Sequence, residues 1–128
     1  MARLFALLLT MLPVMAWAES VPLRIQGSNT LGSALLPALV LAQLRAELAT
    51  QVQVHRGQSD NESVITATRA DGVAVRVDIA AHGTNTGFSA LARNEADLVA
   101  ASRPINDSEA RQLQAFGDLR APAAEHVI

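Results

Sequence analysis

A four-residue pattern of glycine, a hydroxyl residue, asparagine and threonine occurs twice in this chain. It stands at residues 27–30 and 83–86, each time after an apolar stretch and before a helical pattern. The first turn of a helix leaves about four backbone N–H groups without intrahelical partners and carries roughly half a positive charge. An anion can satisfy both. The two turns therefore predict two helix N-termini that hold one oxyanion, with ordinary helix capping by Ser, Thr and Asn as the alternative.

The start of the chain has the pattern of an export signal. A charged Arg3 precedes an apolar run over residues 4–14, and Ala16-Trp17-Ala18 follows as a cleavage site. At roughly 11 residues the apolar run is shorter than the approximately 20 that span a bilayer. We therefore expect residues 1–18 to be a signal peptide cleaved after Ala18, and residues 19–128 to be a periplasmic domain without a membrane span.

The composition excludes several kinds of site. Cysteine is absent, which excludes disulfides and cysteine-based metal sites. All ten basic residues are arginine, and they face twelve acidic residues, so no global positive field attracts nucleic acid or an anionic membrane. Any anion site must therefore be local. His55, His82 and His126 lack a short metal-ligand spacing, and we expect neither a metal site nor a cofactor.

Periodicity and turn residues predict alternating strands and helices. Pro37 lies inside the first helical pattern and should kink it or separate a short first turn. Asp71-Gly72 is a favoured two-residue turn between two β-like runs, with Val73, Val75, Val77 and Ile79 at period two. The predicted elements are strands at 23–27, 51–55 and 98–101, helices at about 31–49, 86–92 and 107–116, the last capped by Asn106 or Asp107, and a hairpin at 63–79.

This alternation predicts an α/β fold with a short mixed sheet, flanking helices and a β-hairpin insertion. In such sheets ligands bind beyond the carboxyl ends of the strands, where both repeated turns should lie. The chain stops at Val127 and Ile128, just where another strand pattern begins. We therefore expect the sequence to be an interrupted portion of a larger fold.

Three segments resemble phosphate-binding periplasmic proteins of the PstS type: residues 25–32 (IQGSNTLG), 81–88 (AHGTNTGF) and 95–105 (EADLVAASRPI). The similarity runs from about Leu23 to the EHVI ending. It implies the first part of one lobe of a two-lobed, periplasmic-binding-protein-like receptor of a phosphate ABC transporter, which is not an enzyme. Inorganic phosphate or a similar oxyanion is then the ligand, and the transporter permease or a complementing second lobe is the partner.

The resemblance also implies which residues hold the anion. The first turn, the second turn and the loop after the last strand would each donate hydroxyl or backbone N–H groups, and Arg103 would add a charge-assisted contact. Many members of the family have an aspartate in that last loop, which accepts the proton of hydrogen phosphate, whereas here Arg103 follows Ser102. The implied ligand-binding residues are Ser28, Asn29, Thr30, Thr84, Asn85, Thr86, Gly87, Ser102 and Arg103.

Other interpretations of the same residues remain open. The spacing Gly27-x-x-x-x-Gly32 is that of a nucleotide phosphate loop, but Ser33-Ala34 stands where lysine and a hydroxyl residue are needed. Arg103 could pair with Asp107 or Asp97 on the surface. A hydrolase built on Ser28, Asp78 and His82 would lack a nucleophile elbow. The chain could also be a truncated or split-gene interaction module of the cell envelope, without transport function.

Overall fold

The fold is a five-stranded mixed sheet with helices on both faces. The computed structural model describes residues 20–127. The strands lie in the order β2-β3-β4-β1-β5, with β1 parallel to both β4 and β5, and β3 antiparallel to β2 and β4. Their bounds are β1 Leu23–Gly27, β2 Thr50–Arg56, β3 Glu62–Thr68, β4 Ala74–Ala80 and β5 Leu98–Ala100; the α-helices are α1 Leu36–Ala46, α2 Thr84–Ala92 and α3 Asp107–Gln112. The predicted α/β class, with its mixed sheet and hairpin, is confirmed.

Two crossover connections place the helices. The chain goes from β1 through α1 to β2 at one edge of the sheet, and from β4 through α2 to β5 at the other edge. Crossovers between parallel strands are almost always right-handed, so connections that run in opposite directions cover opposite faces. The sheet is therefore a central layer with α1 on one face and α2 with α3 on the other.

Each face has its own hydrophobic core. On the α1 face, Leu44 packs with Ile25, Ile65, Val77 and Ile79 in one buried cluster. On the other face, Phe88, Ile105 and Leu113 form a second cluster against Val99 and Ala101. Complete burial of a side chain such as Ile65 or Leu113 stabilises the fold by about 1.5 to 3 kcal/mol. The alternation of Ile25 and Gln26, or of Val99 and Ala100, decides which face each strand residue covers.

The helix that follows β1 begins irregularly, as Pro37 predicted. A π-helical turn, Leu31–Leu35, precedes α1, and Pro37 lies in the first turn of α1 itself. Proline tolerates that position because the N–H that it lacks would have no intrahelical partner there. The helix ends at Ala46, three residues before the predicted end, and Leu48 adopts a positive φ of 55° just beyond it.

Three predicted boundaries are wrong. The hairpin loop spans residues 69–73 and is closed by the Arg69 N–H bonded to the Val73 carbonyl oxygen at 2.9 Å, so Asp71-Gly72 is not a two-residue turn. Val73 keeps the alternation of β4 but lies outside it and is half exposed. The second helix starts at Thr84 rather than Thr86. Leu98 in β5 is 52% exposed, so this strand is buried only at its carboxyl end.

The predicted signal peptide, residues 1–18, lies outside the described residues, as does Ile128. Within residues 20–127, no helix has both the length and the apolar character needed to cross a membrane. Val127 is 91% exposed and is not part of a strand.

Candidate functional site

The two repeated turns and the loop after β5 meet at one edge of the sheet. Because β4, β1 and β5 are adjacent and parallel, their carboxyl ends lie side by side. The first glycine of the second copy, Gly83, donates its N–H to the carbonyl oxygen of Gly27 in the first copy at 2.7 Å. Ser28 donates its N–H to the Ala100 carbonyl oxygen, also at 2.7 Å. The expectation that both turns lie at the carboxyl ends of neighbouring strands is confirmed.

Two glycines permit this close approach. A Cβ atom at Gly27 would lie 2.1 Å from the Ala100 carbonyl oxygen, and Gly27 has a φ of 147°, which side chains rarely permit. A Cβ atom at Gly87 would lie 2.6 Å from the Gln26 carbonyl oxygen and 2.9 Å from the Gly27 Cα. Both positions therefore require glycine if the first turn of α2 is to contact the end of β1.

The first turn presents fewer donors than predicted. Ser28 is buried, and its N–H is bonded to Ala100, so only its hydroxyl proton remains available. Its hydroxyl oxygen accepts a long hydrogen bond of 3.4 Å from the Leu31 N–H, and its carbonyl accepts the Gly32 N–H at 2.8 Å, which makes Ser28 the cap of the helix. Asn29 and Thr30 are exposed and precede the first intrahelical bond, so their N–H groups are the donors of this turn.

The second turn divides its residues between ligand donors and internal contacts. The N–H groups of Thr84, Asn85 and Thr86 precede the first intrahelical bond of α2, which joins the Gly87 N–H to the Gly83 carbonyl oxygen at 3.3 Å. The Thr86 hydroxyl donates to the same oxygen at 2.7 Å. The expected donors from the Gly87 N–H and the Thr86 hydroxyl are therefore both used within the turn, and Gly87 serves close packing instead.

A hydroxyl pair joins the second turn to the loop after β5. The Thr84 hydroxyl oxygen accepts the Ser102 N–H at 3.2 Å and lies 3.2 Å from the Ser102 hydroxyl oxygen. Thr84 is buried, whereas Ser102 is exposed. The structure thus brings Ser102 to the first turn of α2, in agreement with the predicted cluster.

Arg103 makes an ion pair that the sequence reasoning missed. Its Nη1 and Nη2 donate to the two carboxylate oxygens of Glu109 at 2.8 and 2.7 Å. The two predicted partners are bound elsewhere: Asp97 pairs with Arg24, and Asp107 pairs with Arg120. Pairing with Glu109 wins because Asn106 caps α3 and fixes Glu109 in the first turn, through the Glu109 N–H bonded to the Asn106 side chain at 2.9 Å.

Two carboxylates near this edge have lowered pKa values. The pKa of Glu109 is lowered chiefly by its hydrogen bonds from the Arg103 guanidinium, against the opposing effect of burial. The pKa of Glu62 is lowered by a hydrogen bond from His82, at 2.8 Å, and by the Ser59 N–H. His82 immediately precedes the second copy of the pattern, so this pair joins the loop before β3 to the loop after β4.

The residues considered for hydrolysis do not come together. Ser28 caps its own helix, His82 contacts Glu62, and Asp78 pairs with Arg76. Within residues 20–127, no group of three or more His, Asp or Glu side chains is arranged to hold a metal ion.

Glu109 could have been found from the sequence. Asn106-x-x-Glu109 is a capping-box pattern, in which the side chain at N3 bonds back to the cap residue. The Asn106 N–H does donate to Glu109 at 3.0 Å. That signal places Glu109 at a helix start beside the loop that carries Arg103, but the ion pair itself depends on a loop conformation that no periodic pattern specifies.

No protein-family model, no curated protein and no solved structure matches this chain. The site is therefore characterised by its geometry, in which backbone N–H groups from two helix starts and the hydroxyls of Thr84 and Ser102 meet at the carboxyl edge of a parallel strand trio. Neutral donors of this kind can bind an anion or cap their own helices.

Proposed function

We propose that this chain is an exported, non-enzymatic oxyanion-binding lobe, similar in role to the receptor of a phosphate ABC transporter. The observation that supports it is the hydrogen bond from the Gly83 N–H to the Gly27 carbonyl oxygen, which joins the two repeated turns side by side. Helix capping alone explains each turn but gives no reason for two helix starts to share one edge.

The donor inventory sets the expected affinity. Five backbone N–H groups are available, from Asn29 and Thr30 in the first turn and from Thr84, Asn85 and Thr86 in the second. At a net of about 1 kcal/mol for each hydrogen bond, they supply about 5 kcal/mol before association costs. A micromolar dissociation constant needs about 8 kcal/mol and a millimolar one about 4. We therefore expect the chain by itself to bind phosphate with a millimolar dissociation constant or more weakly, and a permease or second lobe to supply further contacts.

Thermal unfolding of the full chain in phosphate, sulfate and chloride of equal ionic strength tests this function. A ligand at ten times its dissociation constant stabilises the folded state by about 1.4 kcal/mol. For a domain of this size that corresponds to a rise in melting temperature of about 4 to 8 °C. A rise in phosphate that is absent in chloride supports the proposal, and equal melting temperatures in all three salts would overturn it. Sulfate reports whether selection for phosphate exists.

A second candidate is an interaction module of the cell envelope without transport function. The observation in its favour is the outward face of the helix after β1, where Leu35 and Leu39 are 40% and 45% exposed among exposed alanines at 34, 38, 42 and 46. A helix that is apolar on all sides is ordinarily covered. Light scattering of the parent and of a Leu35→Gln/Leu39→Gln variant separates the two candidates, because only the interaction module predicts an assembly that the double substitution dissociates.

A further inference from the structure

Arg103 has one edge of its guanidinium bound and another edge unused. The group has five N–H donors in a rigid plane. Nη1 donates to Glu109 and to the Pro104 carbonyl oxygen at 3.1 Å, and Nη2 donates to Glu109. Glu109 therefore occupies the end edge, between Nη1 and Nη2. The side edge, made of Nε–H and the second Nη2 N–H, has no hydrogen-bond acceptor within residues 20–127.

Glu109 is itself held firmly. It is only 9% exposed, and its carboxylate also accepts the Asn106 N–H while its own N–H donates to Asn106. The guanidinium carbon of Arg103 lies 5.8 Å from the centre of the Phe88 ring, and Phe88 is one helical turn after Thr84 on α2. Arg103 is thus fixed between α3 and the first turns of α2, next to Ser102.

Resting on the oxyanion-binding function above, we propose that Glu109 is a positioning residue and that the oxyanion binds the free Nε–Nη2 edge of Arg103. Two parallel N–H groups match two oxygens of a phosphate, sulfate or carboxylate group. The Glu109 carboxylate balances the arginine charge, so recognition at this edge depends on direction more than on net charge. Lysine cannot replace Arg103 here, because a single ammonium cannot serve two partners at fixed edges.

Nuclear magnetic resonance of the full ¹⁵N-labelled chain tests the edge assignment directly. The Nε–H signal of Arg103 is identified by its loss in Arg103→Lys, and inorganic phosphate is then titrated at constant ionic strength. We expect this signal to move with the same midpoint as the amide signals of Asn85 and Thr86. Movement of those amides without the Nε–H signal overturns the role of Arg103 and leaves the function standing. If none of these signals moves, the oxyanion-binding function fails, and this inference fails with it.

A charge-removing variant tests the positioning role of Glu109. In about 1 M sodium chloride, where charges separated by more than about 3 Å are screened, we expect Glu109→Gln to weaken phosphate binding by about two- to tenfold, the range typical of coupled neighbours. The matched control is Glu95→Gln, which removes the carboxylate from an exposed pair with Arg93. Binding by Glu109→Gln should also depend more steeply on salt, since Arg103 is no longer neutralised.

The opposite result has a clear meaning. If Glu109→Gln binds phosphate more tightly than the parent at high salt, Glu109 competes with the ligand for Arg103, and the positioning role is wrong. Unchanged amide signals of α2 and β5 show that the variant keeps its fold. If the variant does not fold, the Nε–H titration of the parent chain decides the question alone.

Discussion

The two copies of the repeated pattern occupy neighbouring strand ends but use their side chains differently. In the first copy, β1 runs directly into Gly27, and Ser28 is buried as the cap of its own helix. In the second, Ala81 and His82 separate β4 from Gly83, and Thr84 bonds across to Ser102. The difference arises because β5 lies beside β1, so the loop after β5 reaches the second copy. The same tetrapeptide specifies the backbone path, while its neighbours decide what each hydroxyl contacts.

The largest expected effect distinguishes the two glycines that open the copies. Gly27→Ala should lower the free energy of unfolding by about 3 kcal/mol or more, because backbone strain and overpacking each cost about 1 to 3 kcal/mol. Gly83→Ala meets nothing closer than the Asn85 side chain, at 3.1 Å, and should cost only the strain of its φ of 121°, about 1 to 2 kcal/mol.

Chemical denaturation measures both glycine variants. Gly72→Ala is the matched control, since Gly72 has a φ of 83° and an added Cβ there would have no neighbouring atom within 4 Å, so it reports strain without a clash. Equal losses at Gly27 and Gly83 would contradict the close approach of the first copy to Ala100.

The fifth position of each copy gives the next effect. Leu31 follows the first copy and Gly87 follows the second, where α2 contacts β1. Gly87→Ala should lower the free energy of unfolding by about 1 to 3 kcal/mol through overpacking against the Gln26 backbone and Val99. Ser89→Ala, at an exposed position of the same helix, should change it by no more than about 0.5 kcal/mol. A tolerated Gly87→Ala would show that α2 lies farther from β1.

Removal of one hydroxyl from each copy should give smaller, unequal effects. Thr84→Val keeps the branched shape but leaves the Ser102 N–H without its acceptor, at a cost of about 1 to 2 kcal/mol. Ser28→Ala removes only a long capping bond and should cost about 0.5 kcal/mol. Urea unfolding of the two variants in parallel provides the comparison, and a larger loss for Ser28→Ala would reverse the roles assigned to the two copies.

The smallest effect is at the opposite end of β1, where acid should weaken the pair of Arg24 and Asp97. The Arg24 side chain and N–H hold the pKa of Asp97 at about 2, below its ordinary 3.8. A lowered folded-state pKa stabilises the protein above the ordinary value, and that stabilisation is lost as pH falls from 3.8 towards 2. Both side chains are partly exposed, so the effect is small. Asp97→Asn should flatten the pH dependence of stability in this window, whereas an unchanged profile would contradict the pairing.

Much of the fold follows from local sequence signals. The strand before Gly27, the proline in the first turn of α1 and the cap at Asn106 each depend on residues within a few positions of one another. The predicted hairpin turn is wrong because the alternation of Val73 with Val75 continues past the last ladder pair, Thr68 with Ala74. Alternation records which face a residue could cover, and it does not record where pairing stops.

The site is predictable as a location and less so as a set of contacts. Neighbouring parallel strands bring their carboxyl ends together, which places Ser28, Thr84 and Ser102 at one edge. The sequence could not show that the Thr86 hydroxyl bonds to Gly83, or that Arg103 bonds to Glu109. Those choices depend on the distances between side chains after the loops have packed.

The most direct test of the central claim is an amide chemical-shift titration of the full chain with inorganic phosphate, with chloride at equal ionic strength as the control. If the two copies form one oxyanion site, the amide signals of Asn29 and Thr30 and those of Thr84, Asn85 and Thr86 will move together. They should share one millimolar midpoint and remain still in chloride. Movement of only one copy, different midpoints for the two, or equal movement in chloride would contradict a shared site.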